Sequence, residues 1–186
     1  AAISNVCAQY YYYFERKQEW IDRVNAATQK AIATGRDEPE IRCAEAWLDF
    51  AEGKYASAVD KVRSALARDP DIDGGYHLLG RALFESGRYQ EVVDIMEDAL
   101  AHAGENYNTT IPIHNALGAM GKTEDLRNYT YREIAILEAQ LKKTPEDARV
   151  RVLLAGNYAS QGRFDDAKRE VDLAMALRPD DTMILY

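Results

Sequence analysis

Gly87-Arg88-Tyr89-Gln90-Glu91-Val92-Val93 has two near-copies in the chain, Gly53-Lys54-Tyr55-Ala56-Ser57-Ala58-Val59 and Gly162-Arg163-Phe164-Asp165-Asp166-Ala167-Lys168. Each runs glycine, base, aromatic, two further residues, then a small or apolar one. Each leads into a helical pattern ending at Ala65-Leu66, Ala99-Leu100 or Ala174-Met175, and two of the three close on a proline, Pro70 and Pro179. Gly87 lies 34 residues after Gly53, Gly121 lies 34 after Gly87, and Gly162 follows at 41. An internal period of this length marks stacked repeats. The glycine ends a first helix and lets the chain reverse within about two residues. The aromatic then packs between the paired helices, and proline, which cannot continue the second helix, separates one unit from the next.

Extended over the whole chain, the period sets units at 5–38, 39–72, 73–106, 107–147 and 148–181, with Thr182 opening a sixth over 182–186. The expectation is a single all-α solenoid domain of about five helical hairpins, a piece of a longer protein. In the first unit Trp20, Val24, Ala27 and Ala31 suggest the second helix, with Glu19 in place of the turn glycine. The long unit carries seven extra residues, close to two helical turns, so its facing is preserved. Ile134, Leu137 and Leu141 recur at three and four residues, which predicts an unbroken helix from about Glu124 to Lys143. Pro112 falls where the first helix of that unit should be under way, so a late start, with Pro112 in the first turn, is expected.

Composition narrows the function. With 47% hydrophobic and 29% charged residues over 186 positions, the chain is a folded protein with a sizeable core. A net charge of −8 and the lack of a Lys/Arg cluster argue against nucleic-acid binding. Cys7 and Cys43 make neither a disulfide framework nor a zinc spacing, which fits a reducing, cytoplasmic setting. No apolar run is long enough to insert into a membrane, and Ala1-Ala2-Ile3-Ser4 has no signal-peptide pattern.

The repeats resemble the tetratricopeptide family, whose pattern is W-x2-L-G-x2-Y, then A-x3-F, then P over 34 residues. Tyr76, Leu79, Gly80, Leu83, Val92 and Met96 carry the likeness in the third unit. Leu154, Ala155, Tyr158, Ala167, Val171 and Pro179 carry it in the fifth, and Ala46, Ala58, Val62, Ala65 and Pro70 in the second. A looser likeness, in Asn106-Tyr107-Asn108, Pro145-Glu146-Asp147-Ala148 and Pro179-Asp180-Asp181, is to the C-terminal repeat regions of bacterial multidomain signalling proteins, kinase- or cyclase-linked.

The family resemblance implies an α-α superhelix whose first helices line a concave groove for a peptide or helix. The positions carried over are Gln9, Tyr10 and Tyr13; Cys43, Ala44, Trp47 and Phe50; His77, Leu78, Arg81 and Phe84; Asn108 and Asn115. Of these, Tyr13, Trp47, Phe50, His77, Arg81, Phe84, Asn108 and Asn115 form the candidate protein-binding groove, because aromatic residues and arginine dominate binding hot spots. Gln9, Tyr13, Ala44, Gly74 and Leu78 depart from the Lys/Asn arrangement that clamps chaperone tails. Four consecutive tyrosines, Tyr10 to Tyr13, cannot share one helix face, so at least one should be exposed.

No catalytic, cofactor or metal site is expected. His77, His102 and His114 lack ligand spacing. His102 reads as a polar group near a helix end. Asp165-Asp166 and Asp180-Asp181 sit where aspartate is favoured at helix starts and turns. The functional expectation is a non-catalytic interaction scaffold with a protein or peptide partner. The alternatives are a regulatory arm of a larger signalling enzyme and a self-assembly module forming a homo-oligomer.

Overall fold

The computed structural model describes residues 6–8, 10–11, 17–34, 39–102 and 106–179. Among the described residues every regular element is helical, as the period requires. The helices are α1 (Gln18–Ile32), α2 (Pro39–Ala51), α3 (Tyr55–Leu66), α4 (Gly75–Glu85), α5 (Tyr89–Asp94), α6 (Met96–Ala101), a 3₁₀ turn (Tyr107–Thr109), α7 (Thr110–Ala119), α8 (Thr123–Lys143), α9 (Ala148–Ser160) and α10 (Phe164–Leu177). The chain divides into two compact units between Ala116 and Leu117.

The glycine-base-aromatic motif is a helix stop followed at once by a helix start. Gly53, Gly87, Gly121 and Gly162 all have φ between 66° and 76°, a left-handed backbone that a side chain strains. At each, the basic residue's N–H reaches back to the carbonyl five residues earlier. The bonds are Lys54 to Asp49 at 2.7 Å, Arg88 to Leu83 at 2.9 Å, Lys122 to Leu117 at 3.1 Å and Arg163 to Tyr158 at 2.9 Å. The glycine N–H bonds the carbonyl three back, which completes a Schellman cap and satisfies the carbonyls a helix end leaves open. The next helix begins two residues after the glycine, at Tyr55, Tyr89, Thr123 and Phe164.

In the first unit α2 packs on α3, and α3 on α4, around Trp47, Val59, Val62, Leu78 and Leu83, all fully buried. Burying each such side chain contributes about 1.5–3 kcal/mol, and no single hairpin could bury them all. The second helix of the 73–106 repeat, expected as continuous, is divided at Ile95 into α5 and α6, though the Ile95 carbonyl still accepts from Ala99 N–H at 2.8 Å. In α1 the buried residues are Ile21, Val24 and Thr28. Glu19 is not at a turn: α1 already begins at Gln18, and the Glu19 carboxylate sits in the first turn, where the helix dipole favours it. Tyr10 is exposed and Tyr11 half-buried, as four consecutive tyrosines demand. Helix α7 starts at Thr110 with Pro112 in its first turn, as expected from the late start.

In the second unit, α8 runs unbroken over 21 residues, starting at Thr123, one residue before the start expected from its periodicity, and ending at Lys143 as expected. It packs on α9, and α9 packs on α10. Tyr129, Leu137 and Leu154 form the buried centre. Asp147 caps α9 by accepting the Val150 N–H at 3.1 Å.

Candidate partner groove

The candidate residues from α2 to α7 all belong to the first unit. Trp47 and Phe50 stand on α2, one turn apart, with ring centroids 5.9 Å apart in an edge-on arrangement. His77, Arg81 and Phe84 stand on α4 at spacings of four and three, which aligns them along one face. The His77 ring lies 6.2 Å from Trp47, and its Nδ1 donates to the Asn108 carbonyl at 2.9 Å. That bond places the ring proton on Nδ1. It also ties α4 to the 3₁₀ turn, where the Asn106 side chain accepts from the Asn108 N–H and Nδ2, both at 3.1 Å.

Burial sorts these residues into two kinds. Trp47 is 1% exposed, and Phe50, His77, Cys43, Ala44 and Leu78 are buried with it, so these side chains join adjacent helices. Phe50 and Phe84 each meet the aromatic that opens the following helix, Tyr55 at 5.5 Å and Tyr89 at 5.1 Å. Phe84, Asn108 and Asn115 are half-buried and keep part of their surface toward solvent. Arg81 is nearly buried, with its guanidinium 2.8 Å from the Glu85 carboxylate. Gln9 and Tyr13 lie outside the described residues.

Two buried polar atoms on the residues that meet His77, the Trp47 Nε1–H and the Asn108 Oδ1, have no hydrogen-bond partner among the described residues. One is a donor, the other an acceptor. Among the described residues no group of His, Cys, Asp or Glu is arranged to hold a metal ion, and no helix is long and apolar enough to cross a membrane.

Some functional-looking polar groups escaped the sequence reading. Asp49, next to Phe50 on α2, is buried and accepts from Ser57 Oγ at 2.5 Å and Lys61 Nζ at 2.6 Å. Ser57 and Lys61 are four apart on α3, the one signal that could have paired them with Asp49. His102, expected near a helix end, follows α6 and meets the Asp71 carboxylate at 2.7 Å while its ring stacks on Tyr76 at 5.8 Å.

Comparison with known proteins agrees with the repeat fold. Residues 49–109 and 134–185, more than half the chain, match the tetratricopeptide repeat family. A curated relative, small glutamine-rich tetratricopeptide repeat-containing protein 2 of Mycosarcoma maydis, is 48% identical over 42 residues, 23% of this chain but 12% of that protein. The match therefore spans about one-eighth of the relative's length. The solved structure of TTC0263, a thermophilic repeat protein of Thermus thermophilus, superposes with a TM-score of 0.68 at 17% identity, covering 99% of this chain and 94% of that one. A MamA structure from Desulfovibrio magneticus RS-1 gives 0.57 at 15% identity, covering 97% and 96%. At such identities the likeness speaks to fold, the α-α superhelix, and to nothing finer.

Proposed function

The chain belongs to the tetratricopeptide repeat family, and from that premise we propose that it is a non-catalytic scaffold binding an extended protein segment along α4 and the start of α7. The partner surface is built by Arg81, Phe84, Asn108 and Asn115. Phe50 and His77 form its floor, and Trp47, buried beside them, contributes only its indole N–H.

The observation that carries this reading is the buried and unpaired Trp47 Nε1–H and Asn108 Oδ1, on two residues that both meet His77. Leaving a buried polar atom unsatisfied costs about 1–3 kcal/mol. A peptide main chain offers a carbonyl and an N–H together, so one extended segment answers both with a small side-chain adjustment. Arg81 is held by Glu85 in the free chain, so a partner carboxylate has to compete for it, and the arginine adds selectivity more than affinity.

A partner recovered by pull-down and titrated against variants tests the reading. Arg81→Glu and Asn108→Ala, each with an unaltered helical spectrum, are expected to weaken binding about tenfold, roughly 1.4 kcal/mol. Affinity unchanged in both removes this face from the function.

A further inference from the structure

In each hairpin the residue three before the turn glycine stands near the end of the first helix, and the residue two after it opens the second. In the first unit both places are aromatic. Phe50 meets Tyr55 and Phe84 meets Tyr89, with centroids 5.5 and 5.1 Å apart, and both tyrosines are half-buried. Around Gly121 neither place is aromatic, since they hold Gly118 and Thr123. The two rings are thus kept or lost together, except at Gly162. There Phe164 keeps its ring, while Ala159, itself exposed, stands where the facing phenylalanine would be. Phe164, expected from the sequence to pack between its helices, is 70% exposed and meets no other ring among the described residues. A lone exposed apolar side chain is ordinary. What sets Phe164 apart is that its own hairpin lacks the ring its counterparts pack on. The neighbouring Arg163 does not cover it, because its guanidinium lies over Tyr158, 4.1 Å from that centroid, and binds Asp166 at 2.7 Å.

Charge marks the same spot. Asp165 follows Phe164, where the two first-unit hairpins carry the neutral Ala56 and Gln90. The helix dipole favours an acid at both Asp165 and Asp166. Asp166 is engaged by Arg163 and Arg169, each at 2.7 Å, whereas Asp165 is exposed and has no ion pair or side-chain hydrogen bond among the described residues. We propose that Ala159, Phe164 and Asp165 receive a protein segment that carries an aromatic side chain beside a lysine or arginine. The incoming ring lies over Ala159 against Phe164, taking the place that Phe50 and Phe84 hold in their hairpins, and the cation meets Asp165. This surface belongs to the second unit and does not depend on the partner face proposed for the first.

Amide and alanine-methyl NMR on the full chain, titrated with the peptide acetyl-Ala-Phe-Lys-Ala-amide, tests the assignment. The expected result is a saturable shift of the Ala159 methyl and of the Phe164 and Asp165 amides. Alanine in place of the peptide phenylalanine should weaken binding about tenfold, and glutamate in place of its lysine about threefold. Asp165→Asn should erase the preference for lysine. Ala159→Phe supplies the ring from the chain itself and should abolish the response at both amides, as Phe164→Ala should at the Ala159 methyl. No saturable shift across the soluble range of the peptide overturns the proposal, as do undiminished binding by Ala159→Phe and equal affinity for the lysine and glutamate peptides. So does a shift of the same signals on concentrating the chain without peptide, which would assign the surface to a second copy.

Discussion

The Asp49 carboxylate lies 2.6 Å from the Lys61 ammonium, joining the two helices of one hairpin from a side chain that is only 9% exposed. Lys61 is the eighth residue after Gly53. The eighth residue after Gly162 is Glu170, which pairs with Arg151 on its own first helix at 2.5 Å. The same place in two hairpins therefore carries an ion pair of opposite sense. After Gly121 the corresponding place holds the buried Tyr129.

The asymmetry between Asp49 and Lys61 gives a stability prediction. Lys61 can turn its ammonium into water when its partner is lost, whereas Asp49 cannot reach water and keeps only the Ser57 hydroxyl. Lys61→Met is therefore expected to cost about 2–3 kcal/mol, and Asp49→Asn, which retains the Ser57 bond, about 1 kcal/mol. Urea unfolding of both variants reads this directly. The reverse order of the two would refute the account.

Arg151 and Glu170 make the stricter case, because both side chains are largely buried. Arg151 also donates to the Pro145 carbonyl, at 2.5 Å through one guanidinium nitrogen. Removing the arginine alone strands a buried carboxylate with the exposed Arg169 at 3.3 Å. Arg151→Met should cost about 2–4 kcal/mol, while the double variant Arg151→Met, Glu170→Met should recover most of it, since a buried pair is often replaceable by apolar groups. A double variant no more stable than Arg151→Met would show that the pair is not the source.

The frame was legible because a left-handed glycine and a closing proline are backbone requirements, and these survive any change of side chain. Thus the spacing of Gly53, Gly87 and Gly121 located the hairpin turns, and the Ile134-Leu137-Leu141 spacing located α8. Glu19 misled because the first unit has no turn glycine, leaving nothing to hold the register. The groove was harder. An aromatic on a first helix faces a neighbour or a partner with the same helical spacing, and only burial separates Trp47 from Phe84. Ion pairs such as Asp49–Lys61 were invisible for a related reason: they join positions whose residue type differs from one repeat to the next.

Two glycines inside first helices should respond in opposite directions to alanine. A Cβ at Gly80 would stand 3.0 Å from Pro112 Cβ and 3.2 Å from its Cγ, and a proline ring cannot rotate aside. Gly156 in α9 has nothing within 4 Å of that position. Gly156→Ala is expected to stabilise by about 0.5–1 kcal/mol through helix propensity, whereas Gly80→Ala should destabilise by about 1–3 kcal/mol through overpacking. Thermal unfolding distinguishes them, and a stabilising Gly80→Ala would mean that α7 yields freely.

Alkaline pH should weaken the fold through two buried protons. Burial pushes the Cys43 thiol up to about 12, with the Asp73 and Glu40 charges acting the same way. Burial likewise raises Tyr158 to about 12, aided by its hydroxyl donating to Glu138 at 2.7 Å. Both groups are neutral in the fold and ionise more readily once unfolded. Their stabilisation is therefore complete below the ordinary values of 9.0 and 10.0 and is lost as pH rises toward 12. Each contributes a slope of about 1.4 kcal/mol per pH unit within its own window. The urea midpoint should hold level from pH 7 to 8.5 and then fall. Cys43→Ala should flatten the decline that begins near 9, and Tyr158→Phe the added steepness above 10. A midpoint independent of pH up to 10.5 would mean that these protons are not held by the fold, and Cys43 would then react with iodoacetamide in the native protein as fast as in urea.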